Sequence, residues 1–350
     1  MYKKYAKRVV RCSLTGPTTI KSRQKFSFVA LSANVVDALP ENMPFQRGLW
    51  ATRKLPVALD EEWKKWLGTI RADRIADDCN LFLCASMDSA EPGVLDHENK
   101  QLDSAAMRLF DGLMLAGNVQ TIATPLLLGG AYQQDGLTVR SISDLRRPLI
   151  PAGVDYEDVT ANTMALAYRH MMGRINFEKT TSYDRIARVL FIFDNAVVTP
   201  SVHERLHQFC RCIEGLILPG VGKTERQFVS RTELFVGPSQ HDNMRALYKM
   251  RSKVEHMHEY DWPAGLAERD RRLLVMRRTA LAEGLARQCI SRFLVTEDVW
   301  PYYANPDRLA SFWNLPAADR QKLWGPPFDL EAIDRGFDST EFTDESLGLR

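Results

Sequence analysis

The strongest constraint on this chain is a change of hydrophobic period near residue 150. Before it, short apolar alternations sit between helical patterns; after it, apolar residues recur almost wholly at three- and four-residue spacing. The stretch Pro148-Leu149-Ile150-Pro151-Ala152-Gly153 marks the change, because closely spaced Pro and Gly continue neither a helix nor a central strand. With 350 residues and 45% hydrophobic content, the chain can bury two cores rather than one. The pattern predicts an α+β N-terminal domain over 1–152, an all-α bundle over 153–300, and a helical extension with an acidic tail over 301–350.

In the first part, residues 25–36 and 80–85 read as strands, and 119–128 and 137–142 as strands joined by a turn at Gly129-Gly130. Helices are expected over 59–75, with Trp63, Trp66, Leu67 and Ile70 on one face behind an Asp60 cap, and over 103–116. In the second part the spacing predicts helices over 159–173, 182–196, 201–218, 223–236, 242–257 and 266–294. Pro219-Gly220, Gly237-Pro238 and Trp262-Pro263 separate them. Beyond Trp300 two short helices are expected, and the acidic stretch 334–345 reads as loose.

Composition limits the functional classes. The six cysteines, at 12, 79, 84, 210, 212 and 289, are too dispersed for a disulfide framework and read as reduced thiols. The basic N-terminus is followed by no apolar stretch of secretory length, and the longest apolar runs fall far short of the ~20 residues that span a bilayer. The expectation is a soluble, cytoplasmic protein with no membrane partner. A net charge of +2 gives no global basic field, so contact with nucleic acid must rest on a local patch. One candidate lies between Arg245 and Arg278, where nine basic residues stand against five acids.

That patch contains the most informative segment, Leu247-Tyr248-Lys249-Met250-Arg251-Ser252-Lys253-Val254-Glu255-His256. Arg251 and His256 are five residues apart, roughly 140° around an ideal helix, so they share a face only if the helix end bends or two copies line one cleft. The pair suits phosphodiester cleavage. A guanidinium forks onto phosphate oxygens. An imidazole takes the proton of a 2′-hydroxyl or gives one to a leaving oxygen. Neither role needs a metal or another cofactor.

The segment resembles the Arg-x4-His motif of HEPN domains, in particular the Apea-like branch. Leu247-Tyr248 before the Arg and Ser252 after it match that branch. So do Glu214 in Cys212-Ile213-Glu214-Gly215-Leu216-Ile217-Leu218-Pro219, and Glu225 with Arg231 on the following helix. The resemblance covers roughly residues 160–295 and departs at Met257, where the branch commonly has Gly, with His258 next along. It implies an all-α HEPN-like bundle behind the α+β domain and a metal-independent RNA endonuclease working as a homodimer. A toxin-like or anti-phage defence role is implied too. His256 would act as acid or base and Arg251 would stabilise phosphate charge. Ser252 would orient the phosphate or the imidazole, and Tyr248 would stack on a base or pack. Glu214 and Arg231 would pair within the bundle. Because the superfamily includes members without nuclease activity, a non-catalytic dimerisation or RNA-binding module is the alternative.

Two other motifs compete. His203-Glu204-Arg205-Leu206-His207 is a literal His-Glu-x-x-His, the helical arrangement of zinc proteases. Against it stand the charged Arg205 in the middle and the want of a third ligand at a characteristic spacing; His256, His258 and Glu233 are the available ones. Gly220-Val221-Gly222-Lys223-Thr224 imitates the end of a P-loop, but Ile217 stands where the first Gly belongs. It reads as a turn between helices.

Overall fold

The computed structural model describes residues 20–349 apart from 22, 59–60, 90–95, 120, 134–135, 150–152, 156, 181–183 and 221; for 62, 63, 133, 136 and 140 it describes the backbone alone. Cys12, Asp60, the Trp63 side chain and the middle of the proline-rich stretch lie outside the described residues. The chain divides into two compact units, one of residues 1–113, 121–147 and 158–168, the other of 114–120, 148–157 and 169–350. An antiparallel sheet region comes first in the chain and a mostly helical region follows.

The sheet holds β1 (Gln24–Leu31), β2 (Asn42–Gln46), β3 (Leu49–Thr52), β4 (Leu81–Asp88), β5 (Leu126–Gln133) and β6 (Gly136–Asp144), in the order β2-β3-β4-β1-β5-β6. β1 is central, pairing antiparallel with β4 and β5, so both its edges are hydrogen-bonded. The two-residue period sorts its side chains. Phe26, Phe28 and Ala30 join a core with Leu67, Ala72 and Ile75, from α1 (Glu61–Leu67), α2 (Thr69–Asp73) and the π-helical turn Arg74–Asp78. Lys25 and Ser27 face the other way, toward α3 (His97–Ala116). There the Lys25 ammonium meets Asp96 and, at 2.5 Å, Glu98, and the Ser27 hydroxyl lies 2.5 Å from an Asp103 carboxyl oxygen.

Several expectations for this unit are corrected. Gly129-Gly130 is not a turn but lies inside β5, at a register shift against β6. A Cβ on Gly130 would stand 2.3 Å from the Thr138 carbonyl and 2.9 Å from the Phe26 ring, so close approach rather than reversal accounts for the glycine. The helix expected over 59–75 breaks at Gly68, at φ +75°, and its buried side runs through Leu67 and Ala72 while Trp66 and Ile70 are exposed. The first strand stops at Leu31, and the β2–β3 hairpin was not foreseen, because Asn42-Met43-Pro44-Phe45-Gln46 carries no β-branched residue.

The helical elements are α4 (Ala161–Thr180), α5 (Arg185–Ala196), α6 (Val202–Ile217), α7 (Thr224–Val236), α8 (His241–Glu255), α9 (Glu268–Val295), α10 (Pro306–Asn314), α11 (Ala317–Trp324) and α12 (Leu330–Arg335). α6 is the hub. Ser201 caps it by accepting from the Glu204 N–H, and it packs against α5, α7, α8 and α9 around Phe193, Phe209, Ile213, Phe228, Leu247 and Phe293. The acidic C-terminal stretch is docked rather than loose. Asp334 bonds Arg277 at 2.7 Å, Asp344 bonds Arg269 at 2.6 Å, and the carbonyls of Leu347 and Gly348 accept from Arg272. The charge that suggested looseness is what attaches it to α9.

Among the described residues no helix is long and apolar enough to cross a membrane. Cys79, Cys84, Cys210, Cys212 and Cys289 are free thiols, and burial pushes the Cys79 thiol up to about 11.

Candidate functional site at the end of α8

α8 carries Met244 and Leu247 on its buried side. Tyr248 is half-buried, its ring 5.5 Å from that of Phe228, so it packs in the bundle rather than offering a free stacking face. Arg251 turns inward to α6. Its guanidinium bonds Glu214 at 3.0 Å and Glu255 on its own helix, and its side chain is 13% exposed. Burial raises the Glu214 carboxyl above its ordinary range, and the Arg251 charge works against that rise. The Arg251 Nε is buried without a partner.

Glu214 therefore pairs with Arg251 and not with Arg231. Arg231 donates to the carbonyls of Ile217 (2.9 Å) and Leu218 and closes the last turn of α6, with Trp313 5.1 Å beneath its guanidinium. The pairing of Glu214 with Arg231 came from the resemblance, whereas the carbonyls left open where α6 ends need a donor.

His256 is exposed where Arg251 is largely buried. It is the C-cap of α8, its N–H bonded to the Ser252 carbonyl at 3.1 Å, and its side chain is exposed. Met257 follows at φ +54°, its N–H bonded to the Val254 carbonyl at 3.2 Å, and the His258 N–H bonds the Lys253 carbonyl at 2.9 Å. These two bonds form a Schellman motif, with Met257 in the left-handed position that glycine favours.

Past the motif the chain runs through Tyr260 and Trp262, whose rings meet edge to face at 5.1 Å. With His203, Lys253 and His258 they line an open cleft of about 400 Å³. Arg271 of α9 lies over the Trp262 ring at 5.9 Å. The Tyr260 hydroxyl sits 2.7 Å from His203 Nδ1, and burial pushes that hydroxyl up to about 12 and the His203 imidazole below its ordinary value. The pair is neutral near pH 7. Sequence reasoning missed Tyr260, Trp262 and Glu255 as site residues; Glu255 had a signal, an acid four residues after an arginine, whereas Tyr260 and Trp262 stand among Glu259, Asp261 and Pro263 and had none.

The chain matches no family model, no curated protein and no solved structure.

The zinc-like pair is split. His203 meets Tyr260, whereas His207 is 3.9 Å from Glu204 and keeps a buried Nε2 without a partner. Burial first, and then the Arg251 charge, lower the His207 imidazole and hold it neutral. Glu233 bonds His241 at 2.6 Å. Among the described residues no group of three His, Cys, Asp or Glu side chains is placed to share a metal ion, so the third ligand that a zinc site needs is missing there.

The basic patch is also reduced. Arg245 pairs with Asp242, Arg251 with Glu214 and Glu255, Lys253 with Asp261, Arg269 with Asp344, Arg272 with Glu268 and Arg277 with Asp334. Counting charge between residues 245 and 278 left out Glu214, Asp242, Asp334 and Asp344, which the fold brings in from outside that window.

Proposed function

We propose that the helical unit is a metal-independent RNA endonuclease of HEPN type that works as a homodimer. The observation that supports it most is the end of α8, where an ion-paired arginine precedes an exposed, helix-capping histidine by five residues. His256 would carry a proton to or from the ribose and leaving oxygens. Arg251 would stabilise charge on the phosphate. Its two carboxylate partners differ in a way that suits this role: Glu214 is 14% exposed and Glu255 40%. A phosphate oxygen would replace Glu255, while Glu214 keeps the guanidinium aimed.

A second reading, a non-catalytic HEPN module that dimerises or binds RNA, is favoured by that same double pairing, which leaves Arg251 neutralised before any substrate arrives.

Purified full-length protein incubated with RNA in EDTA, beside Arg251→Ala and His256→Ala, separates the two. Cleavage that both substitutions abolish is the expected result. Absence of cleavage by every form, with the dimer intact by sedimentation, would leave the binding module. The toxin or anti-phage role carries its own expectation: production of the wild type in bacteria arrests growth, and production of His256→Ala does not.

A further inference from the structure

Residues 256 and 258 of a continuing helix would stand about 200° apart, and their side chains would not meet. Here the chain reverses at Met257 through the left-handed residue, and the rings of His256 and His258 come to 6.0 Å with their planes 43° apart. The Met257 side chain is 95% exposed, so no packing of its own offsets the steric cost of its left-handed backbone. The turn is held by its two backbone bonds, and what it produces is the imidazole pair. Both imidazoles are exposed, and His258 lines the cleft that also holds Lys253, Tyr260 and Trp262.

We propose that His256 and His258 of one chain form the acid–base couple of the RNA cleavage suggested above, with the adjoining cleft seating the nucleotide beside the scissile phosphate. This rests on the ribonuclease reading and adds to it a second proton carrier. One neutral imidazole takes the 2′-hydroxyl proton as O2′ attacks phosphorus. The bond from phosphorus to O5′ breaks, and the other ring, as imidazolium, gives its proton to O5′. The products are a 2′,3′-cyclic phosphate and a 5′-hydroxyl, and the two imidazoles have exchanged charge states, which solvent restores. No metal, oxidant or further reactant enters. At this spacing each ring reaches a different oxygen of one phosphate group within a hydrogen-bond range of roughly 2.6–3.2 Å. The rings of Tyr260 and Trp262 line the cleft where a base would sit, and the Lys253 ammonium would exchange its exposed partner Asp261 for a neighbouring phosphate.

The test uses full-length protein in EDTA with two RNA oligonucleotides, one natural and one carrying sulfur at the bridging 5′ position, where a thiolate departs without needing a proton. Wild type, His256→Ala, His258→Ala, the double variant and Arg251→Ala are compared, with thermal unfolding to verify folding. The expected result on natural RNA is that each histidine variant loses roughly 10²–10⁴-fold and the double variant little more. On the sulfur substrate one single variant, the one lacking the acid, regains most of its rate. If His258→Ala stays within about threefold of wild type while Arg251→Ala and His256→Ala abolish cleavage, the couple is wrong and the ribonuclease reading stands. Failure of sulfur to restore either variant overturns the division into acid and base. No cleavage by the folded wild type overturns the ribonuclease reading, and the couple with it.

Discussion

α6 takes part in two arginine–carboxylate clusters of inverse make-up. Near its start, Arg205 bonds Glu283 of α9 at 2.5 Å, and Arg287 bonds the other Glu283 oxygen at 2.8 Å; the side chains are 3% to 12% exposed. Phe209 and Phe193 rings lie against the two guanidiniums, and Arg287 also donates to the Met114 and Gly117 carbonyls. Near its end, one arginine, Arg251, is shared by two carboxylates, and one of these, Glu255, is open to water. Two cations around one anion in the core can exchange nothing. Two anions around one cation at the rim leave a place where another anion fits. The chemistry is the same, and burial decides whether it serves the fold or a ligand.

Glu283→Ala leaves two buried guanidiniums without their anion, and a loss of about 3–5 kcal/mol is expected, read from urea unfolding followed by helical circular dichroism. A loss under about 1 kcal/mol would show that the inner cluster is not what holds α6 to α9.

Arg251→Ala is expected to cost less, about 1–3 kcal/mol at neutral pH, because Glu214 loses its cation while half-buried rather than sealed in. The loss carries a pH signature. Burial raises the Glu214 carboxyl, and removing Arg251 raises it further, so its ionised form is penalised above the folded value. As pH falls through that raised value toward the ordinary 4.5, the carboxyl protonates and the deficit of the variant shrinks. A deficit that stayed flat or grew on acidification would show that Glu214 is not the group left stranded. Glu255→Gln then probes the rim alone. Stability should change by less than about 1 kcal/mol, and a short single-stranded RNA should bind roughly twofold to fivefold tighter by fluorescence anisotropy. Weaker binding would mean that Glu255 does not compete for the phosphate place.

How much of this was readable in the sequence differs between the units. In the helical unit, where contacts between neighbouring helices follow the 3.6-residue period, the expected spans 201–218, 223–236 and 266–294 differ from α6, α7 and α9 by no more than two residues at either end. In the sheet unit the determining contacts are distant along the chain. Gly130 is fixed by Thr138 and Phe26, and nothing local separates it from a turn glycine. The site follows the same division. Arg251 and His256 were legible as residue types at a spacing, but Glu214 as counter-ion required knowing how α6 and α8 pack. The patch at 245–278 looked basic because a window along the chain leaves out carboxylates that arrive from α6 and the C-terminal stretch.

The smallest expected effect lies at the turn between the two imidazoles. Met257 occupies φ +54° with its side chain in water, so Met257→Gly removes steric cost without removing contacts. The unfolded chain gains freedom at the same time, which offsets part of the benefit. A net stabilisation of about 0.5–1 kcal/mol is expected in urea unfolding. The Schellman bonds persist in that variant, so the His256–His258 spacing should persist with them, and any RNA cleavage by the wild type should be retained. Met257→Val is the counterpart: a β-branched residue resists the left-handed region, so it should open the turn, separate the rings and lower cleavage while Arg251 and its two carboxylates stay as they are. A fall in cleavage with the arginine cluster intact would place the proton transfers at the exposed turn, with Arg251 left to hold the phosphate charge.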